Sequence, residues 1–164
     1  TSKKGKFNFD LVEENKEKAT IRQFLNLNEE FEYLKKEDYE FYPYDKSKIG
    51  KGMILCGRRK CVRKSDGKLI TSMHQHDRIR SVDGTMATFV SGESQGRYWV
   101  YLPENGGYVR KLTLNECYKI MGFPDYFKKD STRSYAYKQI GNTVAVPIIN
   151  AICKQIVEQN LLSD

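Results

Sequence analysis

The sequence lacks the features that mark membrane proteins, disulfide scaffolds and nucleotide-binding enzymes. None of its apolar runs approaches the roughly 20 residues that a membrane-spanning helix needs, and residues 1–6 are polar and basic, unlike a signal peptide. No glycine-rich phosphate loop follows a strand-like segment. Only four cysteines occur, at Cys56, Cys61, Cys117 and Cys153, without the spacing of a disulfide framework. We therefore expect a reduced, cytoplasmic protein with no membrane partner.

Metal-ligating and nucleophilic residues are also scarce. Cys56, Cys61, His74 and His76 are zinc-type ligands. The Cys-x4-Cys spacing is permitted, but His-x-His is too short for the usual two-Cys two-His finger. Cys117 and Cys153 fall in helix-like apolar patterns, where a small buried hydrophobe is the expected role. We predict neither a metal site nor a catalytic residue in this chain.

Positive charge is present but concentrated in one segment. The formal net charge is +7 over 164 residues. Residues 51–80 carry nine basic side chains and only two acidic ones. A run of this kind can be a solvated face, but its concentration favours a phosphate-binding surface, with Arg58, Arg59 and Lys60 as candidate DNA contacts.

The middle of the chain has the pattern of short strands. Strand-like runs occur at 53–55, 68–70, 86–90 and 98–102. Ser65-Asp66-Gly67 and Val82-Asp83-Gly84 between them are hairpin-type turn signals. Before this region, Thr20 can cap a short helix to about Leu27.

The last third of the chain has helical patterns. Thr113 and Glu116 have the spacing of a capping box, and this helix should end at Met121-Gly122. A second short helix should be stopped by Gly141, and Pro147 suits the first turn of a third. The apolar residues of that third helix recur at three- and four-residue spacing, which predicts one apolar face.

Two motifs of this region together resemble a known family. Arg110-Lys-Leu-Thr113-x-x-Glu116 through Gly122-Phe123-Pro124 resembles the penultimate signature of DNA (cytosine-5) methyltransferases. Tyr137-Lys-Gln-Ile-Gly141-Asn142-Thr143-Val144-x-Val-Pro147 resembles their final signature. Either motif alone could arise by chance, but both occur here in the family's order.

The resemblance extends more weakly into the strand-rich region. The segment 77–84 followed by Ala87-Thr88-Phe89 looks like the core of the family's target-recognition region, although Ala87 stands where proline is common. The resemblance implies DNA contacts from Gln75, Arg78, Arg80, Thr88 and Ser91. Among these, Gln75 would fill the space left by a flipped base, and Arg78, or else Arg80, would contact a guanine.

The resemblance also implies a cofactor and a missing catalytic part. Family members transfer a methyl group from S-adenosylmethionine to a cytosine flipped out of double-stranded DNA. Gly141, Asn142, Thr143 and Val144 match a segment that closes one side of the cofactor pocket. Arg110, Thr113, Glu116 and Gly122 match residues that organise the structure. The family's Pro-Cys, Glu-Asn-Val and Phe-x-Gly-x-Gly motifs are absent, so we expect the catalytic domain upstream or on another chain, and no activity from this chain alone.

The expected fold class is α+β. A small, mostly β target-recognition domain would span 1–112, and helices in 113–164 would pack, as in the family, on a Rossmann-like catalytic domain that is absent here. The expected function is DNA recognition for a methyltransferase of a restriction–modification system, associated with the bacterial nucleoid. A stand-alone DNA-binding module and the small subunit of a split methyltransferase are the alternatives.

Overall fold

The computed structural model describes residues 6–12, 18–129 and 132–161, and in these ranges seven strands form one mixed sheet. The strands are β1 (Tyr33–Leu34), β2 (Tyr39–Phe41), β3 (Leu55–Val62), β4 (Leu69–Thr71), β5 (Arg78–Ser81), β6 (Trp99–Leu102) and β7 (Tyr108–Lys111). Their order is β1-β7-β6-β5-β3-β2, with β4 also paired to β3. Neighbouring strands are antiparallel except β5 and β6, which are parallel.

The helices follow the sheet in the chain. Within the described residues the α-helices are α1 (Leu114–Ile120), α2 (Arg133–Asn142) and α3 (Val146–Glu158). Short 3-10 turns occur at Phe9–Leu11, Ile21–Phe24, Lys36–Asp38, Lys46–Lys48, Gln75–Asp77 and Glu104–Gly106. The expected α+β class is therefore confirmed.

Strand β6 lies at the centre of the fold because both of its faces are covered. Successive side chains of a strand point to opposite faces. Val100 and Leu102 join the larger core cluster with residues of α1 and α2. Trp99 joins Ile79 and Val109 in a smaller cluster on the other face. Residues on both sides of the proposed boundary at 112 thus share one core, and the division into two domains stays a prediction.

Local sequence signals predicted both ends of α1 and the start of α3. The Thr113 hydroxyl accepts a bond from the Glu116 backbone N–H, and the Glu116 carboxylate accepts one from the Thr113 N–H, which confirms the capping box. The α1 helix stops before Gly122, whose φ is +81° and whose Cβ, if present, would lie 2.6 Å from Cδ of Pro147. Pro147 lies in the first turn of α3, as predicted.

Two predictions in the strand-rich region are wrong. Residues 86–90 form no strand; the backbone N–H and C=O of Val90 bond instead to the Tyr98 hydroxyl. The chain turns at Val82-Asp83-Gly84, but this is not a hairpin, because β5 and β6 are parallel. Parallel neighbours need a longer crossover connection, which residues 82–98 supply.

Smaller differences concern where elements begin and end. The turn after Thr20 is a 3-10 helix that ends at Phe24, without a side-chain cap. Strand β3 begins at Leu55 rather than Met53. Gly141 does not stop α2 but lies in its last turn. Its lack of a side chain lets this turn contact the backbone at Val90 and Ser91.

Among the described residues, no single helix has the length and apolar character needed to cross a membrane. The α2 and α3 helices reach that length and apolar character only when taken together, as a pair bent by 41°.

A buried ion pair joins β7 to α1. Arg110 and Glu116 are both 0% exposed, and Nη1 and Nη2 of the arginine each donate a 2.8 Å bond to the carboxylate. The carboxylate also accepts from the backbone N–H of Asn26 and of Thr113, each at 2.8 Å. Phe31 lies against the guanidinium, 4.0 Å from ring centroid to Cζ. One carboxylate therefore fixes three segments of the chain.

Replacing Glu116 by Gln should destabilise the fold strongly. The change leaves a buried guanidinium without its counter-charge, which typically costs about 3–5 kcal/mol. Chemical denaturation with the change of the free energy of unfolding as readout measures this. Asp125→Asn is the matched control, since Asp125 is 83% exposed beside Lys119, and it should cost less than about 1 kcal/mol. Equal effects of the two substitutions would contradict this role of Glu116.

Candidate nucleic-acid interface

Strands β3 and β5 bring four of the basic side chains to one face of the sheet. Arg58 is paired with Arg78 in the antiparallel register. Lys60 and Arg80 lie two residues further along their strands, so alternation puts them on the same face. We call Arg58, Lys60, Arg78 and Arg80 the basic face. Burial lowers the pKa of Arg80, and the charge of Arg78 adds to this effect.

The basic face contains little acidic charge among the described residues of its strands. Glu40 of β2 is paired with Arg58 across the sheet. Its carboxylate accepts a bond from the hydroxyl of Thr71, which is itself paired with Lys60. Arg58 donates a 3.2 Å bond to the backbone oxygen of Ser72. The arginine is thereby oriented without its charge being neutralised by that bond.

Arg59 lies on the opposite face from Arg58. Its Nη1 is 3.4 Å from Oδ1 of Asp77, and its guanidinium lies 5.0 Å from the centroid of the Trp99 ring. Asp77 is buried and also accepts a 2.5 Å bond from the Ser72 hydroxyl. The three consecutive cations Arg58, Arg59 and Lys60 are thus divided between the two faces, and a DNA contact by Arg59 stays a prediction.

A cavity beside the basic face collects three of the predicted DNA-binding residues. Its volume is about 330 Å³. We call it the recognition cleft; its lining includes Gln75, Arg80, Thr88, Glu93, Arg97 and Tyr98. Arg78 and Ser91 are not part of this lining. Gln75 begins the 3-10 turn immediately before β5, and it lines the same cavity as Arg80 of that strand.

Sequence reasoning missed Glu93 and Arg97 in this cleft. Arg97 Nε lies 3.1 Å from each carboxylate oxygen of Glu93, and Nη2 is 3.1 Å from Oε2. Glu93 is only 3% exposed. Opposite charges four residues apart in a loop were the only signal, and that signal does not indicate burial.

The residues predicted to contact the cofactor lie at the end of α2. A Cβ on Gly141 would lie 2.2 Å from the backbone nitrogen of Ser91, so only glycine fits this contact. Asn142 and Val144 are exposed. Thr143 lines a separate cavity of about 470 Å³ together with Tyr118, Phe123 and Phe127. The exposed side chain of Asn142 fits one wall of a cofactor site. Cofactor binding by residues 141–144 stays a prediction.

The candidate metal ligands do not converge. Within the described ranges no group of three His, Cys, Asp or Glu side chains could hold a metal ion. Cys56 is buried, and burial raises the pKa of its thiol to about 12. Burial likewise raises the pKa of Cys117 well above its ordinary value. A thiolate is the nucleophilic and metal-binding form, so neither thiol is activated. His74 and His76 stack on each other at 5.2 Å between ring centroids.

Comparisons with known proteins point to one family. The sequence model of the family described as C-5 cytosine-specific DNA methylase matches residues 1–158. Type II methyltransferase M.Bsp6I of Bacillus sp. (strain RFL6) is 26% identical over 147 residues, which are 87% of this chain and 42% of that protein. M.HhaI of Haemophilus parahaemolyticus is 36% identical over 87 residues, 50% of this chain and 25% of the relative.

Shorter matches to further relatives are closer in sequence. M.SsoII of Shigella sonnei is 41% identical over 58 residues, 35% of this chain and 15% of that protein. The chain therefore spans less than half the length of each of these curated relatives.

Proposed function

Because this chain belongs to the C-5 cytosine-specific DNA methylase family, we propose that it forms the target-recognition part of a DNA (cytosine-5) methyltransferase. Like the relatives it matches, the whole enzyme would be a Type II methyltransferase of a restriction–modification system. The observation that carries the proposal is the convergence of Gln75, Arg80 and Thr88 on one cleft beside the basic face.

The basic face would contact the DNA backbone. Lysine and arginine neutralise phosphates and release counterions, so they supply affinity that is independent of sequence. Arg58 and Lys60 lie at the end of this face away from β6. We propose that these two side chains contact phosphates and that Ser91, which is exposed at the neighbouring loop, lies near the same backbone.

The recognition cleft would contact the bases. A guanidinium can donate two hydrogen bonds to the acceptors of a guanine, and Arg80 lines the cleft whereas Arg78 lies beside Arg58. Arg80 is therefore the first candidate for the base contact and Arg78 the second. Gln75 would occupy the space that a flipped cytosine leaves, and Thr88 would contact the backbone close to it.

The methyl transfer itself would need residues that this sequence does not contain. S-adenosylmethionine supplies the methyl group when it is bound, and Gly141, Asn142, Thr143 and Val144 would form one wall of its site. No cysteine of the chain follows a proline. We propose that the nucleophile and the remainder of the cofactor site belong to a catalytic domain in the same or another chain.

The α3 helix offers a surface for that catalytic domain. Ile149, Ile152 and Ile156 recur at three- and four-residue spacing, which places them on one face of α3. Ile149 is 43% exposed, and Ile152 and Ile156 are partly exposed. Burial of side chains of this size is worth about 1.5–3 kcal/mol each. We propose that this face packs on the catalytic domain.

This chain alone should transfer no methyl group. The reason is the absence of the family's Pro-Cys motif, since none of the four cysteines follows a proline. The assay incubates the pure chain with S-adenosylmethionine carrying a labelled methyl group and duplex DNA of mixed sequence. Incorporation of label above that of a heat-denatured sample would refute the proposal that the nucleophile belongs to a separate catalytic domain.

Removing charge from the basic face should weaken the salt dependence of DNA binding. Each phosphate contact contributes about 0.9 to the slope of log affinity against log salt. Arg58→Ala/Lys60→Ala should therefore reduce that slope by about 1–2, measured by titration of duplex DNA at several salt concentrations. Lys46→Ala/Lys48→Ala removes the same charge from an exposed turn and is the control. If both double variants change the slope equally, the basic face is not the phosphate-binding surface.

A further inference from the structure

We infer that Arg97, held in place by the buried carboxylate of Glu93, is a further specificity-determining residue that donates to a base edge in the recognition cleft. The inference rests on the proposed DNA-recognition function and adds a residue pair that neither the family signatures nor the basic segment indicated. We call these two residues the Glu93–Arg97 pair.

Glu93 is fixed by more than its ion pair. Its Oε1 accepts bonds from the backbone N–H of Gln95 at 3.2 Å and of Arg97 at 3.3 Å. Nδ1 of His76 lies 4.0 Å from Oε2. The Glu93 carboxylate is 3% exposed and accepts these two bonds from the backbone of its own loop. The conformation of the loop therefore fixes the position of the carboxylate. Glu93 is therefore a positioning residue, which orients Arg97 without contacting DNA.

The loop that carries the pair is itself anchored to the core. The Tyr98 hydroxyl accepts from the Val90 N–H at 3.3 Å and donates to the Val90 oxygen at 3.5 Å. Burial raises the pKa of Tyr98 to about 12, so this hydroxyl keeps its proton near neutral pH. Gly96, with a φ of +62°, lies so close to Tyr137 that a Cβ would be 2.1 Å from its ring. The residues on both sides of the pair are thus fixed.

The geometry of Arg97 leaves one end of its guanidinium for a ligand. Nε and Nη2 face Glu93, which leaves the end formed by Nη1 and the second Nη2 hydrogen. The side chain is 27% exposed and lines the cleft with Arg80 and Thr88. Two donors at that end match the two acceptors that guanine presents in the major groove.

Charge compensation favours a base over a phosphate as the ligand. The Glu93 carboxylate offsets the positive charge of Arg97, so the pair attracts an anion much less than a lone arginine does. Its directional donors remain, because they depend on geometry and not on net charge. We therefore expect Arg97 to contribute to sequence discrimination and little to the salt dependence of binding.

The test uses this chain and a duplex library with a randomised central window and constant flanks. Bound and unbound duplexes are separated and sequenced, and the salt slope is measured on the most enriched duplex. The variants are Arg97→Lys, which keeps the charge but removes the paired donors, and Glu93→Gln, which keeps the shape but removes the counter-charge. Glu104→Gln removes an acid from the exposed pair with Arg22 and is the control. Thermal unfolding checks that each variant is folded.

Arg97→Lys should lower the preference at one base pair by roughly 10-fold, as one bidentate contact implies, with an unchanged salt slope. Glu93→Gln should lower the same preference while raising the affinity for unselected duplexes and steepening the salt slope, because the charge of Arg97 is released. A purely structural role would instead lower affinity for all duplexes. If Glu93→Gln fails to fold, Arg97→Lys decides alone.

Two results would overturn this inference while leaving the proposed recognition function intact. The wild-type preference could persist in Arg97→Lys, or Arg97→Lys could weaken binding to all duplexes equally, which indicates a contact that does not discriminate between bases. A wild-type chain that enriches no sequence would overturn the proposed recognition function and the base contact with it. The control should match the wild type in every measurement.

Discussion

Burying a guanidinium and a carboxylate away from water is costly unless they pair with each other and with further polar groups, and the position of α1 depends on such a pair. Arg110 and Glu116 bond each other through two 2.8 Å contacts. The same carboxylate accepts from the backbone N–H of Asn26 and of Thr113. Four protein donors thus replace water around the Glu116 carboxylate, and they connect the N-terminal segment, the sheet and α1. Among the described residues the buried Nε of Arg110 has no bonded partner, so burial of this guanidinium carries a desolvation cost that the other bonds must offset.

From this fixed centre, two glycines extend the connection to the loop that lines the recognition cleft. Gly141 lets α2 contact the backbone at Ser91, and Gly96 lets the loop contact Tyr137 of the same helix. The final signature of the family therefore packs directly on the segment proposed to contact DNA. The helix and the loop are in close contact through backbone and ring atoms. We therefore expect a displacement of either one to shift the other.

The sequence predicted most of what depends on neighbouring residues. Thr113 and Glu116 predicted a helix start because a capping box needs only three residues of spacing. The parallel pairing of β5 with β6 was not predictable from the Asp83-Gly84 turn, since pairing depends on residues far apart in the chain. Glu93 was missed for the same reason, because its burial comes from the fold. Arg58, Arg59 and Lys60 were predicted together as DNA contacts, because the sequence did not show that β3 extends through them and places Arg59 on the opposite face.

The central claim is that the basic face and the recognition cleft bind duplex DNA while the apolar face of α3 remains available for another domain. Backbone amide hydrogen exchange, compared with and without duplex DNA at low salt, tests this directly. The account predicts slower exchange at 55–62 and 75–97, with unchanged exchange at 146–158. Protection confined to 146–158, or no protection within 75–97 at saturating DNA, would contradict it.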